Sequence, residues 1–118
     1  MVKSFESELT FEKRLEESKR INTKFPNLIP VICERLHSSR NVPELDRRKF
    51  LVPPHLTMGQ FVYVVRRRIE LEPSQAIFMY LSGSTMVPTS HQMSQVFDTH
   101  RKKDGFLYIT YSGENTFG

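Results

Sequence analysis

The stretch LTMGQFVYVVRRRI at residues 56–69 sets the architecture that this sequence predicts. Thr57 followed three residues later by Gln60 is a capping box, in which each side chain accepts a hydrogen bond from the other residue's backbone N–H at a helix start. Apolar residues then recur with the period of a helix at Met58, Phe61, Val62, Val65 and Ile69. We therefore predict a helix that runs to Ile69 and lies with its apolar side across a β-sheet.

Two strands are predicted ahead of this helix. Residues 28–36 alternate, with Ile29, Val31 and Cys33 on one face and Leu28, Pro30 and Ile32 on the other. Pro30 has no N–H to donate, so its nitrogen is expected to lie where no partner strand pairs with it. Residues 37–48 are polar and predict a loop, after which KFLV at 49–52 predicts a short strand that Pro53-Pro54 ends.

Two more strands are predicted after the helix, IFMYL at 77–81 and FLYITY at 106–111. Between them, Thr89 and Gln92 indicate a second capping box and a short helix that carries Met93, Val96 and Phe97. Two strands, a crossing helix and two more strands is the order of a β-grasp sheet. Because crossover connections are right-handed, we expect the last strand to lie parallel to the first at the sheet centre, with strand 49–52 at an edge.

The N-terminal segment carries charges of alternating sign around few apolar positions. Ser4 and Thr10 are candidate N-caps, so we predict two short helices. A narrow apolar stripe is predicted along the second helix, at Phe11, Leu15, Ile21 and Phe25. The predicted fold class is α+β: a four-stranded mixed β-grasp sheet over residues 26–112, two extra helices packed on it over 1–25, and a flexible tail over 113–118.

Length and composition exclude several classes of protein. A chain of 118 residues with 38% hydrophobic residues is long enough for one domain with one core. The longest apolar run, FVYVV at 61–65, is far shorter than the ~20 residues of a membrane span, and the N-terminus has no apolar secretion signal. Cys33 is alone, which excludes an internal disulfide and fits a reducing compartment. We expect a small intracellular domain.

The sequence shows no pattern typical of an enzyme. Its four histidines, at positions 37, 55, 91 and 100, lack the spacing of a metal site, and no glycine-rich phosphate loop occurs. Cys33 lies in the middle of a predicted strand, which favours a buried structural thiol over a nucleophile. We therefore predict no catalytic residues, no metal and no cofactor.

Two basic clusters, Arg47-Arg48-Lys49 and Arg66-Arg67-Arg68, could contact phosphates. The aromatic residues fall at core-like positions, however, and neither the RNA-recognition-motif pattern nor a helix-turn-helix pattern is present. We therefore expect no nucleic-acid partner, and we interpret these charges as a surface for acidic protein segments or lipid headgroups.

Five collinear segments resemble one protein family: FEKR at 11–14, IPVICER at 29–35, RRKFLVP at 47–53, LTMGQFVYVVRRRI at 56–69 and DGFLYITYSGENTFG at 104–118. They are similar to the autophagy ubiquitin-like modifiers, the group that contains the GABA-receptor-associated protein and microtubule-associated light chain three. The resemblance covers essentially the whole chain, including the N-terminal helices. The ending SGENTFG resembles the fungal and protist type most.

The resemblance implies a conjugation pathway. Gly118 would be activated as a thioester by an E1-like enzyme, passed to an E2-like enzyme and joined to phosphatidylethanolamine, and a cysteine protease would process or delipidate the chain. The protein would be cytoplasmic when unconjugated and would sit on autophagosomes or cytoplasmic vesicles when lipidated. There it would recruit cargo receptors and autophagy factors that carry aromatic-x-x-aliphatic peptides.

The resemblance also implies a peptide groove along the edge strand 49–52, where an extended ligand adds by backbone hydrogen bonds. The aromatic pocket would be lined by Glu17, Ile21, Pro30, Ile32, Lys49, Leu51 and Phe106. The aliphatic pocket would be lined by Phe50, Val52, Pro53, Leu56, Phe61 and Val64. Arg68 would contact acidic residues that flank the motif.

The chain departs from the family at a few positions. Leu28 stands where members commonly carry a basic residue, and the loops at 37–43 and 82–87 look one residue longer than in close relatives. A second surface around 77–81, which some relatives use for helical ubiquitin-interacting motifs, carries over weakly. The chain stops at Gly118 where precursors usually continue, so either it is a mature form or its gene needs no trimming.

Two other functions stay open at this point. One is a ubiquitin-like adaptor that is not conjugated and serves vesicle traffic or microtubules through the basic N-terminal helices. The other, which we favour least, is an RNA-binding β-grasp domain.

Overall fold

The computed structural model of the chain describes residues 3–82 and 85–114. Its elements are α1 (Phe5–Glu8), α2 (Phe11–Lys24), β1 (Ile29–Arg35), β2 (Lys49–Val52), α3 (Met58–Arg68), β3 (Phe78–Tyr80), α4 (Met93–His100) and β4 (Leu107–Ser112). This order confirms the predicted α+β class with two helices ahead of the sheet.

The four strands form one mixed sheet in the order β2-β1-β4-β3. β1 is antiparallel to β2, with Val31 opposite Phe50, and parallel to β4, with Val31 opposite Leu107. β3 is antiparallel to β4. The predicted parallel pair at the centre and the predicted edge position of β2 are both confirmed.

Pro30 lies at a point of the sheet that tolerates its missing N–H. The Cys33 N–H donates to the Arg48 carbonyl on the β2 side, at 2.8 Å. The backbone nitrogens of successive strand residues point alternately to the two edges of the strand. The Pro30 nitrogen, three residues before that of Cys33, therefore faces the β4 side. Pairing with β4 begins only at Val31, so Pro30 removes no ladder hydrogen bond.

One face of the sheet packs against α3 and α4 and holds the main core. The capping box of α3 is present as predicted, with the Thr57 N–H donating to Gln60 Oε1 at 2.9 Å and the Gln60 N–H donating to Thr57 Oγ1 at 3.1 Å. Alternate strand residues join the buried helix residues in this core, among them Val31, Cys33, Phe61, Val65, Met93, Val96, Leu107 and Ile109. The apolar residues of the helices and of the strands therefore form a single buried layer.

The opposite face is covered by α1 and α2, which bury far less apolar surface. Phe5, Ile32 and Phe106 form a separate small cluster there, with Leu9, Ile21 and Tyr108 packed against it. The Phe5 and Phe106 rings meet edge to face with their centroids 5.2 Å apart. This cluster is the apolar contact that holds the N-terminal helices on the sheet.

Polar contacts supply the rest of the attachment of α2. The Arg14 Nε lies 2.9 Å from Asp104 Oδ2, and the Tyr108 hydroxyl donates to the same carboxylate oxygen at 2.5 Å. The Ser18 hydroxyl donates to the Asp104 carbonyl, also at 2.5 Å. Burial, followed by the Asp104 hydrogen bond, raises the pKa of Tyr108. Hydrogen bonding to Asp104 raises the pKa of Arg14.

The structure corrects two predictions about helix details. The predicted stripe on α2 is only partly covered: Ile21 packs against the small cluster, whereas Phe11 and Phe25 are 41% and 38% exposed and Ser18 is the buried residue of that helix. Thr89 does not cap α4, because the helix begins at Met93 with Gln92 as N-cap. The Thr89 carbonyl instead accepts the Gly59 N–H at 3.0 Å, so this segment completes the start of α3.

Candidate functional site

The outer edge of β2 pairs with no other strand among residues 3–82 and 85–114. Its side chains alternate between the two faces of the sheet. Phe50 and Val52 are buried in the main core, whereas Lys49 and Leu51 are half-buried on the side of α2. A chain that added to this edge would therefore meet a different surface on each face.

The residues predicted for the aromatic pocket come together on the α2 side. Ile32, Phe106 and Pro30 are buried, whereas Glu17, Ile21, Lys49 and Leu51 are half-buried. Ile21 packs against the cluster that contains Ile32 and Phe106. Their placement follows from the sheet register, in which Leu51 lies opposite Pro30 and Lys49 lies opposite Ile32.

An ion pair joins β2 to α2 at these residues. The Lys49 ammonium contacts the Glu17 carboxylate of α2, and it also lies 5.9 Å from the centroid of the Phe5 ring. Arg20 approaches the same carboxylate at 3.7 Å. Basic and acidic side chains therefore both lie where β2 meets α2.

The residues predicted for the aliphatic pocket divide into a core and a surface group. Phe50, Val52 and Phe61 are at most 5% exposed, and the Phe50 and Phe61 rings meet edge to face at 5.6 Å. Pro53 and Leu56 are half-buried, and Val64 is 40% exposed. A ligand would therefore touch the second group, while the first group shapes the surface from below.

The sequence did not point to Tyr63, which belongs to this surface. It is 60% exposed and lines a shallow depression beside α3 together with Leu56, Thr57, Gly59, Gln60, Val64, Thr89 and Ser90. Little in the sequence indicates Tyr63, because it does not lie on the apolar face predicted for α3 and is typical of a surface residue. An exposed aromatic side chain next to Val64 extends the apolar surface beyond the predicted pocket.

The three consecutive arginines of α3 have different partners. Arg66 donates to the carbonyls of Gln75, at 2.7 Å, and Glu72, at 2.9 Å, so it holds the turn after the helix. Arg67 lies over the Tyr63 ring at 5.8 Å. Arg68 pairs with Asp46 at 2.9 Å and thereby lowers the pKa of that carboxyl group. Arg66 is thus bound to this turn, and a surface for acidic partners along the run stays a prediction.

Cys33 is buried, as predicted for a structural thiol, and burial raises its pKa. The described parts of the chain contain no group of three or more His, Cys, Asp or Glu side chains that could hold a metal ion. Within the same residues, no helix is long and apolar enough to cross a bilayer.

The predicted conjugation residue, Gly118, lies outside the described residues, which end at Glu114. Gly113 and Glu114 are described. Gly113 is buried and hydrogen-bonded to the loop that follows β1. The fixed part of the chain therefore extends at least through Gly113, one residue beyond the predicted boundary of the core.

This sheet topology, with a crossing helix after two strands and two helices in front, defines a ubiquitin-like protein with an N-terminal helical extension. A family model described as "Autophagy protein Atg8 ubiquitin like" matches residues 13–118. The chain belongs to this Atg8 family, and it is thus a ubiquitin-like protein with a role in autophagy.

Individual relatives agree with this assignment. The chain is 59% identical to autophagy-related protein 8 of Candida glabrata, over 100% of this chain and 98% of the relative. It is 52% identical to autophagy-related protein 8d of Arabidopsis thaliana, over 99% of this chain and 96% of the relative. The crystal structure of Trypanosoma brucei ATG8 superposes with a TM-score of 0.88 at 42% identity and covers all of both chains.

Proposed function

We propose that this protein is a modifier that is conjugated through Gly118 to phosphatidylethanolamine and that recruits aromatic-x-x-aliphatic peptides to autophagosomal membranes. The observation that carries the peptide-binding part is the open edge of β2. It is flanked on one face by the aromatic pocket and on the other by the surface of Pro53, Leu56 and Val64.

The spacing of the motif fits this edge. Residues three apart in an extended chain lie ~10 Å apart and point to opposite faces, since the rise is ~3.3 Å per residue. An aromatic side chain would enter between Ile21 and Leu51, and the aliphatic side chain three residues later would reach Leu56 and Val64. The β2 backbone would supply hydrogen bonds, as in other cases of strand addition.

Two filled pockets and a short hydrogen-bonded edge support moderate affinity. Burial of two apolar side chains contributes ~3–6 kcal/mol before ordering costs, and the main-chain hydrogen bonds to β2 add to it. We therefore expect a Kd of about 1 μM, which corresponds to about 8 kcal/mol. Lys49 and Arg68 would attract acidic flanking residues. Each already has an acidic partner, Glu17 and Asp46 respectively, so such flanks would exchange one ion pair for another.

The conjugation part rests on family membership and on membrane physics. A single acyl chain gives marginal membrane affinity, whereas two chains at ~0.8 kcal/mol per buried CH₂ hold a protein stably. A diacyl lipid on Gly118 would thus anchor a chain whose described helices do not span a bilayer. The partners are then E1-like and E2-like enzymes, a delipidating or processing cysteine protease, and the motif-bearing receptors. The protein would be cytoplasmic until it is lipidated.

Reconstitution tests this function. The chain would be incubated with E1-like and E2-like enzymes, ATP and liposomes that contain phosphatidylethanolamine, and the product would be followed by gel mobility. We expect a shifted adduct with the native chain and none with Gly118→Ala, whose melting temperature should stay nearly unchanged. An adduct at the native rate on Gly118→Ala, or no adduct on the native chain, would contradict the proposal. The second outcome would favour an unconjugated adaptor.

A further inference from the structure

The first residue after β4 is buried, although it leads into the C-terminal segment. The Gly113 N–H donates to Ser39 Oγ at 2.9 Å, and the Gly113 carbonyl accepts from Asn41 Nδ2 at 3.2 Å. Ser39 Oγ and Asn41 Oδ1 are themselves 3.1 Å apart. Side chains of the loop between β1 and β2 therefore bind both backbone polar groups of Gly113.

The fit around Gly113 leaves no room for a side chain. A Cβ at this position would lie 2.5 Å from Asn41 Oδ1 and 2.6 Å from Val42 Cγ1. Ser39 and Val42 are each only 2% exposed. We call Ser39, Asn41 and Val42 the Gly113 clasp. A side chain at this position would force Asn41 and Val42 to move.

The clasp is itself fixed to the sheet. Arg35 Nη1 of β1 donates to the Val42 carbonyl at 2.9 Å, and the Tyr111 hydroxyl of β4 donates to the Pro43 carbonyl at 2.8 Å. The Leu36 N–H donates to the Tyr111 carbonyl at 2.7 Å. The loop thus wraps the end of β4 and ties the departure point of the C-terminal segment to the two central strands.

This attachment bounds where Gly118 can go. Gly118 lies five positions after Gly113, so covalent geometry keeps their Cα atoms within ~18 Å of each other. With Gly113 held, this distance limits the region that the C-terminal glycine can reach. Holding a reacting group in a restricted region lowers the entropic cost of reaching a productive geometry.

We propose that Ser39 and Asn41 are positioning residues for conjugation: through Gly113 they fix the point from which the C-terminal glycine enters the active sites of the conjugating enzymes. This inference rests on the proposed function. The clasp lies at the end of β4 and includes none of the residues assigned to the peptide groove. The two activities are therefore expected to separate by mutation.

The test is a steady-state assay of adduct formation on phosphatidylethanolamine liposomes with Ser39→Ala, Asn41→Ala and the double variant. Ser38→Ala is the matched control, because Ser38 is an exposed serine in the same loop. Ser39→Thr retains the hydroxyl and serves as the rescue. All variants are assayed at a temperature at which circular dichroism shows them fully folded.

We expect kcat to fall about five- to tenfold in the double variant while KM changes less than twofold, since misplacement of a reacting group costs rate and leaves docking intact. Ser38→Ala and Ser39→Thr should conjugate like the native chain, and all variants should bind a Trp-x-x-Leu peptide equally. A merely structural role would lower the melting temperature and leave kcat of a folded sample unchanged. Hydrogen exchange at the Gly113 amide should quicken in Ser39→Ala.

A fully folded double variant with native kcat would overturn the positioning role and leave the proposed function standing. If the double variant does not fold, kcat of Ser39→Ala alone tests the positioning role, because this substitution removes one hydroxyl and no packed carbon atom. Native kcat in that variant would overturn the role in the same way. A native chain that forms no adduct would overturn the proposed function and this inference together.

Discussion

The two faces of the sheet are covered in different ways. On the α3 and α4 side, buried apolar residues from all four strands and two helices form one continuous layer. On the α1 and α2 side, the buried apolar cluster has three members, and the contacts of Asp104 with Arg14, Ser18 and Tyr108 supply much of the attachment. The first face stabilises the domain. The second holds α2, which carries Glu17 and Ile21 of the proposed aromatic pocket.

The largest effect is expected in the apolar layer. Phe61 is fully buried against Phe50, so Phe61→Ala should lower the free energy of unfolding by about 3–5 kcal/mol through lost transfer energy and a cavity. Urea unfolding measures this loss. The control is Tyr63→Ala, two residues away and 60% exposed, which should change stability by less than about 0.5 kcal/mol. Equal losses of stability in the two variants would contradict the assignment of Phe61 to the core and Tyr63 to the surface.

The next effect concerns the polar face. Asp104→Asn removes the charge that Arg14 pairs with, and hydrogen bonds to charged groups contribute about 1.5–3 kcal/mol. We expect the amides of α1 and α2 to exchange faster with deuterium while those of β1 and β4 stay protected. Uniform acceleration across the domain would show instead that both faces unfold as one unit.

Alkaline pH should destabilise the apolar side gradually. Burial raises the pKa of Tyr111 to about 12 and raises that of Cys33 above its ordinary value of 9.0. Folding therefore favours the protonated forms. Their contribution is complete below pH 9, and it is lost as the pH rises toward 12. The slope should reach at most about 1.4 kcal/mol per pH unit for each titrating group.

Urea unfolding at several pH values checks this slope. In Tyr111→Phe, the free energy of unfolding should fall less steeply between about pH 10 and pH 12, because Tyr111 no longer titrates. The fall that begins near pH 9, which comes from Cys33, should remain. An unchanged slope in Tyr111→Phe would mean that Tyr111 titrates alike in the folded and unfolded states.

The smallest effect is expected at the rim of the aromatic pocket. Glu17→Gln removes the ion pair with Lys49, which is partly exposed, so stability should change by less than about 1 kcal/mol. The comparison with Asp104→Asn is informative, because each carboxylate takes part in an ion pair that joins α2 to the rest of the domain. A thermal unfolding series would contradict this account if Glu17→Gln proved the more destabilising of the two.

The periodic parts of the fold could be predicted from the sequence. α3 and its capping box and the alternation of β1 follow from short-range spacing that burial then enforces. The edge position of β2 follows from the order of the elements and the handedness of crossover connections. The family resemblance added the N-terminal helices as part of the domain.

Contacts between distant residues could not be predicted. Arg14 and Asp104 are 90 positions apart, and each looks like an ordinary surface charge in the sequence. The same holds for Ser39 and Gly113, which are 74 positions apart, and for the use of Thr89 to complete α3. Polar partners are specified by the fold, because no periodicity marks them in the chain.

The residues predicted to line the pockets include both core residues and surface residues. Phe50 was expected to contact ligand, but it is 5% exposed and belongs to the core. Sequence alternation identifies the face that a strand residue occupies and does not reveal how deeply it is covered. Leu51 is half-buried on the α2 side. Its replacement therefore tests the groove with less effect on the core than the replacement of Phe50.

Calorimetric titration with a Trp-x-x-Leu peptide measures whether the β2 edge binds aromatic-x-x-aliphatic peptides. We expect a Kd of about 1 μM for the native chain and a loss of at least about 2 kcal/mol, or roughly thirtyfold, for Leu51→Ala/Val64→Ala, since truncation of central contacts commonly costs this much. Tyr80→Phe at the opposite edge of the sheet should bind like the native chain. Equal affinities for the native chain and a folded double variant would show that this edge is not the recognition surface.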